Sequence, residues 1–68
     1  MYKAFRKDGT EIRKGDEITD FRGEKWEFIR VNTFGNKVQV KSKSGSEREF
    51  YPNVFDLEVI EKITKRGE

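Results

Sequence analysis

The chain has 68 residues, with 15 basic and 13 acidic side chains, no histidine and no cysteine. This length allows one small domain, and the missing residue types exclude a disulfide and a Cys/His zinc site. Charged residues make up 41% of the sequence, yet Leu, Ile, Val and Phe together exceed the roughly 20% level that is typical of disordered chains. We therefore expect a folded domain with a heavily charged surface and a core that holds without cross-links.

The first third of the chain predicts a hairpin, then a turn, a short strand and another turn. Residues 8–9 (Asp-Gly) lie between two runs of mixed charged and apolar residues, which is a strong hairpin signal because both positions of a type I′ turn need positive φ. Residues 14–16 predict a second turn. Residues 17–21 predict a short strand with Ile18 facing inward, and residues 22–23 (Arg-Gly) predict the next turn.

Residues 24–33 form the longest predicted strand. By the two-residue period of a strand, Trp26 and Phe28 share one face, whereas Ile29 and Val31 share the other. Apolar residues on both faces predict either a β-bulge or a strongly coiled strand that contributes to both sides of a barrel.

The next predicted turn is a two-residue type II′ turn within residues 34–37 (FGNK), with Gly35 in its first position. Residues 37–43 then predict a strand in which Val38 and Val40 face inward and the lysines face outward. A flexible connection follows before the proline corner of the chain.

The proline corner separates the last two predicted strands. Residues 47–51 predict a strand with Phe50 or Tyr51 facing the core, and Pro52 ends it because proline donates no ladder hydrogen bond. Residues 53–55 predict one 3₁₀ turn before a final strand.

The domain is therefore assigned to residues 1–60, and Leu57 and Val59 alternate in its last strand. The remaining residues, 61–68, form a charged tail that we expect to fray. A short helix built on Ile60 and Ile63 is the alternative for this end of the chain.

These elements together predict an all-β fold: a small SH3-like barrel of five to six antiparallel strands with one 3₁₀ turn before the last strand. A five-strand OB-fold is the nearest alternative, although it usually needs a longer chain and a helix between its third and fourth strands.

Three segments, residues 7–13 (KDGTEIR), 20–28 (DFRGEKWEF) and 48–59 (REFYPNVFDLEV), carry a resemblance that covers most of the chain. They resemble a group of short phage-encoded proteins of unassigned function, which share an Asp-Phe-Arg-Gly-Glu-x-Trp segment and a Phe-Tyr-Pro-x-Val-Phe corner. The shared motifs look structural more than catalytic. The resemblance implies a barrel and a phage or prophage origin, and residues 32–46 are where we expect this chain to differ from those proteins.

No catalytic constellation is visible in the sequence. Histidine and cysteine are absent, and the serines of residues 42–46 have no neighbouring base to activate them. Asp16, Glu17 and Asp20 lie among lysines and arginines, which favours solvated surface charge over a hard-cation site. The glycines are spaced as turn residues and not as a phosphate loop. We expect a protein that is not an enzyme and uses no cofactor or metal.

Positive charge is concentrated in the middle of the chain. Residues 22–48 hold seven basic and three acidic side chains, and residues 28–46 hold no acid. A lysine face of this kind, with an aromatic side chain nearby, suits a phosphate backbone and a stacked base. The candidate nucleic-acid-binding residues are Arg30, Lys37, Lys41, Lys43 and Arg48. A solvated strand with lysines that discourage edge pairing is the simpler explanation, because a net charge of +2 is small for such a protein.

The nine aromatic residues exceed what a small core needs. The predicted core aromatics are Trp26, Phe28, Phe50 and Phe55. The candidate partner-binding residues are Phe34, Tyr51 and Arg22, because surplus aromatics serve as contact anchors and Arg22 stands at a loop tip. The alternative role of Arg22 is to pair with Asp20 or Glu24.

Two functions follow from these observations. The first is a non-catalytic interaction module that binds an unknown host or phage protein through loops or a strand edge. The alternative is a nucleic-acid-binding SH3-like barrel that uses the basic strand face. No apolar run is long enough for a membrane span. We expect a monomer or weak homodimer in the host cytoplasm.

Overall fold

The computed structural model describes residues 1–61. Its elements, in chain order, are β1 (Tyr2–Arg6), β2 (Glu11–Ile12), β3 (Glu17–Thr19), β4 (Lys25–Val31), β5 (Val38–Lys41), β6 (Glu47–Phe50), the 3₁₀ helix η1 (Pro52–Phe55) and β7 (Leu57–Glu61). The all-β class and the 3₁₀ turn directly before the last strand are therefore confirmed.

The strands form two antiparallel sheets, with the orders β2-β1-β7 and β3-β4-β5-β6. Most pairings join strands that follow each other along the chain. The exception is β1 with β7, which brings Tyr2 opposite Glu61. Neither sheet closes on itself, so the architecture that the pairing defines is two sheets on a shared core.

The shared core takes side chains from both sheets and from η1. Its buried members are Ala4, Ile12, Ile18, Trp26, Phe28, Val38, Val40, Phe55 and Leu57. Val38 and Val40 are both 0% exposed, as strand alternation predicts. Phe50 packs against this cluster while Tyr51 stays exposed, which answers the question that the sequence left open for this pair.

A β-bulge in β4 explains why this strand carries apolar residues on both of its predicted faces. Pairing with β5 shifts by one residue between Phe28 and Arg30, which leaves Ile29 as the extra residue. The shift turns Val31 toward the core, where it packs against the buried cluster. Of the two explanations that the sequence allowed, the bulge is confirmed.

Three of the loops share one backbone geometry. In the loops 6–10, 20–24 and 42–46, the first residue donates its N–H to the carbonyl of the last, and the fourth residue is a glycine with positive φ. This is the three-residue hairpin connection that combines a type I turn with a left-handed glycine. The hairpin predicted at residues 8–9 is therefore confirmed, but Gly9 alone of this pair takes positive φ, so the turn is not type I′.

The connection between β4 and β5 is longer than predicted. The type II′ turn with Gly35 in first place is wrong, because Asn32 N–H donates to the Lys37 carbonyl at 2.9 Å and four residues lie between them. The side-chain Oδ1 of Asn32 also accepts the backbone N–H groups of Asn36 at 3.2 Å and Lys37 at 3.3 Å. These bonds from one asparagine stabilise the longer loop.

Gly35 is also a contact point between the two sheets. A Cβ atom at this position would lie 2.5 Å from Cδ1 and 2.6 Å from Cζ of Tyr2, and the backbone φ is +76°. Position 35 therefore needs glycine both for its conformation and for the aromatic ring that covers it.

The far end of the chain differs from the predicted boundary by one residue. Glu61 belongs to β7, and Ile60 lies in the same strand, so the helix alternative is wrong at that position. Residues 62–68, which hold the rest of the predicted tail and Ile63, lie outside the described residues.

Replacing Gly35 with alanine should destabilise the domain more than the matched change Gly45→Ala. Both positions have positive φ, which costs an L-residue about 1–2 kcal/mol. Only the Cβ at position 35 meets another group, which adds about 1–3 kcal/mol of overpacking. Urea unfolding followed by Trp26 fluorescence measures both changes. Equal losses would contradict the Tyr2 contact, whereas Tyr2→Ala should recover part of the loss in the Gly35→Ala background.

Candidate interaction surface

A buried carboxylate organises the loop between β3 and β4. Asp20 is only 6% exposed. Its Oδ1 accepts the backbone N–H groups of Arg22 and Glu24, each at 2.9 Å. Its Oδ2 accepts the indole N–H of Trp26 at 3.1 Å. Both carboxylate oxygens are therefore used to shape the loop and to fix the tryptophan.

Arg22 completes this cluster. Its Nη2 atom lies 3.3 Å from Oδ2 of Asp20 and 3.2 Å from Oε1 of Glu24. The same guanidinium lies 5.8 Å from the ring centre of Phe21, which is 79% exposed. Arg22 thus makes the ion pairs that its alternative role predicts, and its part in partner binding stays a prediction.

The surroundings of Asp20 favour its charged form. Burial acts to raise the pKa of this carboxyl, but hydrogen bonds from the Glu24 N–H, the Trp26 indole and Arg22 outweigh it. The pKa therefore lies below its ordinary value of 3.8. Asp8 also has a lowered pKa, mainly because the Thr10 N–H donates to it.

Asp20→Asn should destabilise the domain and reduce the loss of stability that occurs as the pH falls below 3.8. Because the folded-state pKa is lower than 3.8, the ionised carboxyl contributes stability that is complete above 3.8 and is lost as the pH falls through the folded value. Asparagine also turns an NH₂ group toward donors that need an acceptor. Thermal melts from pH 2 to pH 6 measure both effects.

The control for this experiment is Asp8→Asn, because that carboxyl is exposed and holds only the neighbouring turn. We expect it to change the melting temperature less than Asp20→Asn does at pH 6. Equal effects of the two substitutions would contradict the organising role of the Asp20 carboxylate.

Two exposed aromatic side chains lie at the other end of β4. Phe34 is 81% exposed and Tyr51 is 58% exposed. The ammonium group of Lys37 lies 5.1 Å from the ring centre of Tyr51, and Lys37 also lines a shallow depression together with Phe34. We call Phe34, Lys37 and Tyr51 the aromatic surface.

The aromatic surface unites two of the three predicted partner-binding residues. Phe34 lies in the β4–β5 loop and Tyr51 follows the end of β6, beside the start of β5. Arg22 lies in the β3–β4 loop, which joins the opposite end of β4. The three residues therefore do not form one cluster at a single end of the sheet.

Acidic neighbours interrupt the predicted basic strand face. Lys41 stands directly opposite Glu27 of β4 and Glu47 of β6. Arg30 donates its Nε–H to Gln39 at 2.8 Å, and the Gln39 amide donates to Glu47 at 3.2 Å. Positive charge on this face is therefore balanced from both adjacent strands.

The remaining predicted basic residues occupy other places. Arg48 pairs with the buried Val40, which puts it on the other face of β6 from Glu47. Lys43 lies in the loop 42–46, and Lys37 belongs to the aromatic surface. The five predicted nucleic-acid-binding residues are thus divided between two sheet faces and two loops.

A groove between the two sheets was not predicted from the sequence. It has a volume of about 740 Å³ and is lined by β1, β2 and β4 from Phe28 onward, together with Gln39 of β5 and Glu49 of β6. Its charged lining residues are Lys3, Glu11, Arg13, Lys14, Arg30 and Glu49. Within it, one carboxylate faces two cations, because Glu11 lies 3.5 Å from Lys3 and 3.8 Å from Arg13. We call this feature the inter-sheet groove.

The inter-sheet groove and the depression beside Phe34 are continuous. Asn32, Thr33 and Glu49 line both of them. One connected concave surface therefore runs from β1 and β2 across β4 to the aromatic surface.

The acidic residues considered for a cation site are engaged separately. Asp16 accepts the Arg13 backbone N–H at 2.9 Å, and Glu17 stands opposite Glu27 in the β3–β4 ladder. Within residues 1–61, no group of acidic side chains is suitably placed to hold a metal ion together. The same residues contain no helix with the length and apolar content needed to cross a bilayer.

Comparison with known proteins gives no match: no family model, no curated protein and no solved structure is similar to this chain. The geometry of the described surface is therefore the basis for assigning a function.

Proposed function

We propose that this chain is a non-catalytic interaction module that binds a protein partner through the aromatic surface. The observation that carries the proposal is the exposure of Phe34 (81%) and Tyr51 (58%) at one end of the β4-β5-β6 sheet. A chain with so few apolar residues would gain stability by burying two more rings. Aromatic anchors that stay exposed are typical of contact surfaces.

We infer that the two sheets are the halves of an SH3-like barrel. Three features support this: β1 pairs with β7, β4-β5-β6 form a meander, and η1 directly precedes the last strand. In such a barrel, the inter-sheet groove is the gap between the β1-β2 hairpin and β4. The fold alone does not choose a function, so the proposal depends on the surface.

Both anchors are held by their surroundings before any partner binds. The loop that carries Phe34 is fixed by the side chain of Asn32 and by the Tyr2 ring over Gly35. Tyr51 is extended, with φ −65° and ψ 145°, and precedes the rigid Pro52. Binding therefore orders few new groups, which favours affinity.

Strand addition at the open edge of β6 is the less favoured contact mode. β6 pairs only with β5, so its other edge is unpaired in the described part of the chain. Its sequence from Glu47 to Glu49 is charged throughout and exposed. Charges on an edge strand discourage pairing with another strand. No comparable run of charged residues discourages a partner from contacting the exposed rings of the aromatic surface.

The resemblance to short phage-encoded proteins adds the setting of the proposal. It supports a phage or prophage origin, a partner from the phage or its host, and a place in the host cytoplasm. Phe34 and Lys37 lie within residues 32–46, where we expect this chain to differ from those proteins, and Tyr51 lies in the shared Phe-Tyr-Pro corner. Variation in residues 32–46 would therefore change the partner, whereas the contact from Tyr51 would be kept.

The double substitution Phe34→Ala with Tyr51→Ala should weaken partner binding strongly. A random displayed peptide library is selected on the wild-type protein, and the enriched peptides are measured by calorimetry. We expect at least about a 10-fold loss of affinity in the double variant, because buried aromatic anchors dominate such contacts.

The matched control is Phe21→Ala, which removes an aromatic side chain of similar exposure at the opposite end of β4. Its affinity for the same peptides should stay close to that of the wild type. Selected peptides that bind the double variant as tightly as the wild type would overturn the proposal.

Single-stranded DNA should bind weakly. Glu27 and Glu47 flank Lys41, so few phosphates meet unopposed charge. A labelled oligonucleotide of 12 nucleotides at about 50 mM salt should show no saturable binding tighter than about 100 μM by anisotropy. Tight binding that is lost in Lys41→Gln with Lys43→Gln would favour the nucleic-acid alternative.

A further inference from the structure

We propose that the inter-sheet groove binds an extended acidic segment of the partner protein, which continues onto the aromatic surface. This inference rests on the proposed function and adds to it the chemistry of the partner and the path that it follows. The argument depends on charge, on the apolar floor of the groove and on its continuity with Phe34.

The excess positive charge of the chain is concentrated in the groove. Four basic residues (Lys3, Arg13, Lys14 and Arg30) line it against two acidic ones (Glu11 and Glu49). The chain has 15 basic and 13 acidic residues, so the remaining residues balance at 11 of each sign. A partner that responds to charge is therefore attracted to this groove.

The cations of the groove are only loosely engaged. The Lys3–Glu11 and Arg13–Glu11 separations of 3.5 and 3.8 Å exceed the roughly 2.8 Å of a good charged hydrogen bond. The Arg13 side chain is 79% exposed, and exposed pairs of this kind contribute little. Arg30 uses its Nε–H on Gln39, which leaves the other guanidinium donors for an incoming carboxylate.

The floor of the groove is apolar. Ile29, the extra residue of the bulge, and Val31 are half-buried and line it, and Tyr2 lines it from β1. An extended segment alternates its side chains with a period of two. A segment with alternating acidic and apolar residues could therefore direct carboxylates to the rim and apolar groups to the floor.

The path of the chain explains why the groove is open. The ladder between β3 and β4 ends at the pair Glu17–Glu27. The next residue, Phe28, bonds to the preceding turn: its N–H donates to the Asp16 carbonyl at 2.8 Å, and its carbonyl accepts the Gly15 N–H at 2.9 Å. Before Gly15, the chain no longer runs beside β4 but leads back to β2, which pairs with β1 in the other sheet. Within the described part of the chain, the second half of β4 therefore has no ladder partner on its β3 side, and the groove runs beside it.

Continuity with the depression beside Phe34 shows where along the segment an apolar anchor would lie. Asn32 and Thr33 belong to the lining of both features, so a segment that leaves the groove meets Phe34 next. An aromatic or aliphatic residue at that end of the segment would pack on Phe34 and Tyr51. The expected partner sequence has acidic residues followed or preceded by one large apolar anchor.

A protein segment fits the groove better than a nucleic acid. A phosphate backbone is charged at every nucleotide and would meet Glu11 and Glu49, whereas a peptide can place its acidic residues opposite the cations alone. Ile29 and Val31 are aliphatic and the Tyr2 ring already covers Gly35, so this floor suits apolar peptide side chains better than a base. Nucleic acid is therefore the competing outcome of the test.

The test uses the peptides that the wild-type chain selects from the random displayed library. We expect the enriched peptides to contain more Asp and Glu than the starting library and at least one aromatic or large aliphatic residue. Their affinity should fall about 10-fold in Arg13→Gln with Arg30→Gln, and also when salt rises from about 50 to 200 mM.

The matched control is Lys7→Gln with Lys25→Gln, which removes two exposed cations outside the groove lining. It removes two positive charges, as Arg13→Gln with Arg30→Gln does, and should leave the affinity for the peptides close to that of the wild type. Equal losses in both double variants would show that net charge alone attracts the peptides and would overturn the groove assignment.

The outcomes separate this inference from the proposed function. Peptides that need Phe34 and Tyr51 but lack acidic residues and ignore Arg13→Gln with Arg30→Gln would overturn the groove inference alone. Failure to select any peptide that depends on the aromatic surface would overturn both. A 12-nucleotide single-stranded DNA that loses affinity in the groove variant, while peptides do not, would assign the groove to nucleic acid.

Discussion

The indole of Trp26 connects the polar and the apolar parts of this domain. Its N–H donates to the buried carboxylate of Asp20, and its ring packs edge-on against Phe50, with 5.2 Å between ring centres. Phe50 meets Phe55 of η1 in the same manner at 5.8 Å. A buried indole needs an acceptor, and a sheet that curves around a small core needs large side chains to fill it. One series of contacts supplies both, and it links β4, β6 and η1 without any cross-link.

The sequence predicts those parts of the fold that depend on near neighbours. Strand alternation identifies Val38 and Val40 as core, and apolar residues on both faces of β4 indicate either a bulge or a coiled strand, because both patterns are set within a few residues. The β4–β5 loop is predicted wrongly. Its length depends on side-chain bonds from Asn32, and its glycine is covered by Tyr2, which comes from a distant part of the chain. No local pattern contains that contact.

The candidate surface divides in the same way. Exposure of surplus aromatics at Phe34 and Tyr51 follows from counting how many rings a small core can hold. The inter-sheet groove does not follow, because Arg13 and Arg30 line one cavity only when the two sheets have come together in the fold. In the sequence alone, basic and acidic residues balance within residues 1–21, and Asp20 is interpreted as a surface carboxylate. An aspartate before a turn and a tryptophan shortly after it is the sequence signal that could have identified the buried acceptor.

The pairing of β1 with β7 has a consequence for how the domain assembles. The other ladders join strands that follow each other through short connections, and such hairpins close within about 1–10 μs at small entropic cost. The ladder from Tyr2 to Glu61 forms only when segments from the two ends of the described chain meet. Until β1 and β7 pair, part of the core-facing side of the β3-β4-β5-β6 sheet stays exposed to solvent. We therefore expect an all-or-none transition governed by this late closure, in which loosening β7 unfolds the whole unit and leaves no smaller stable piece.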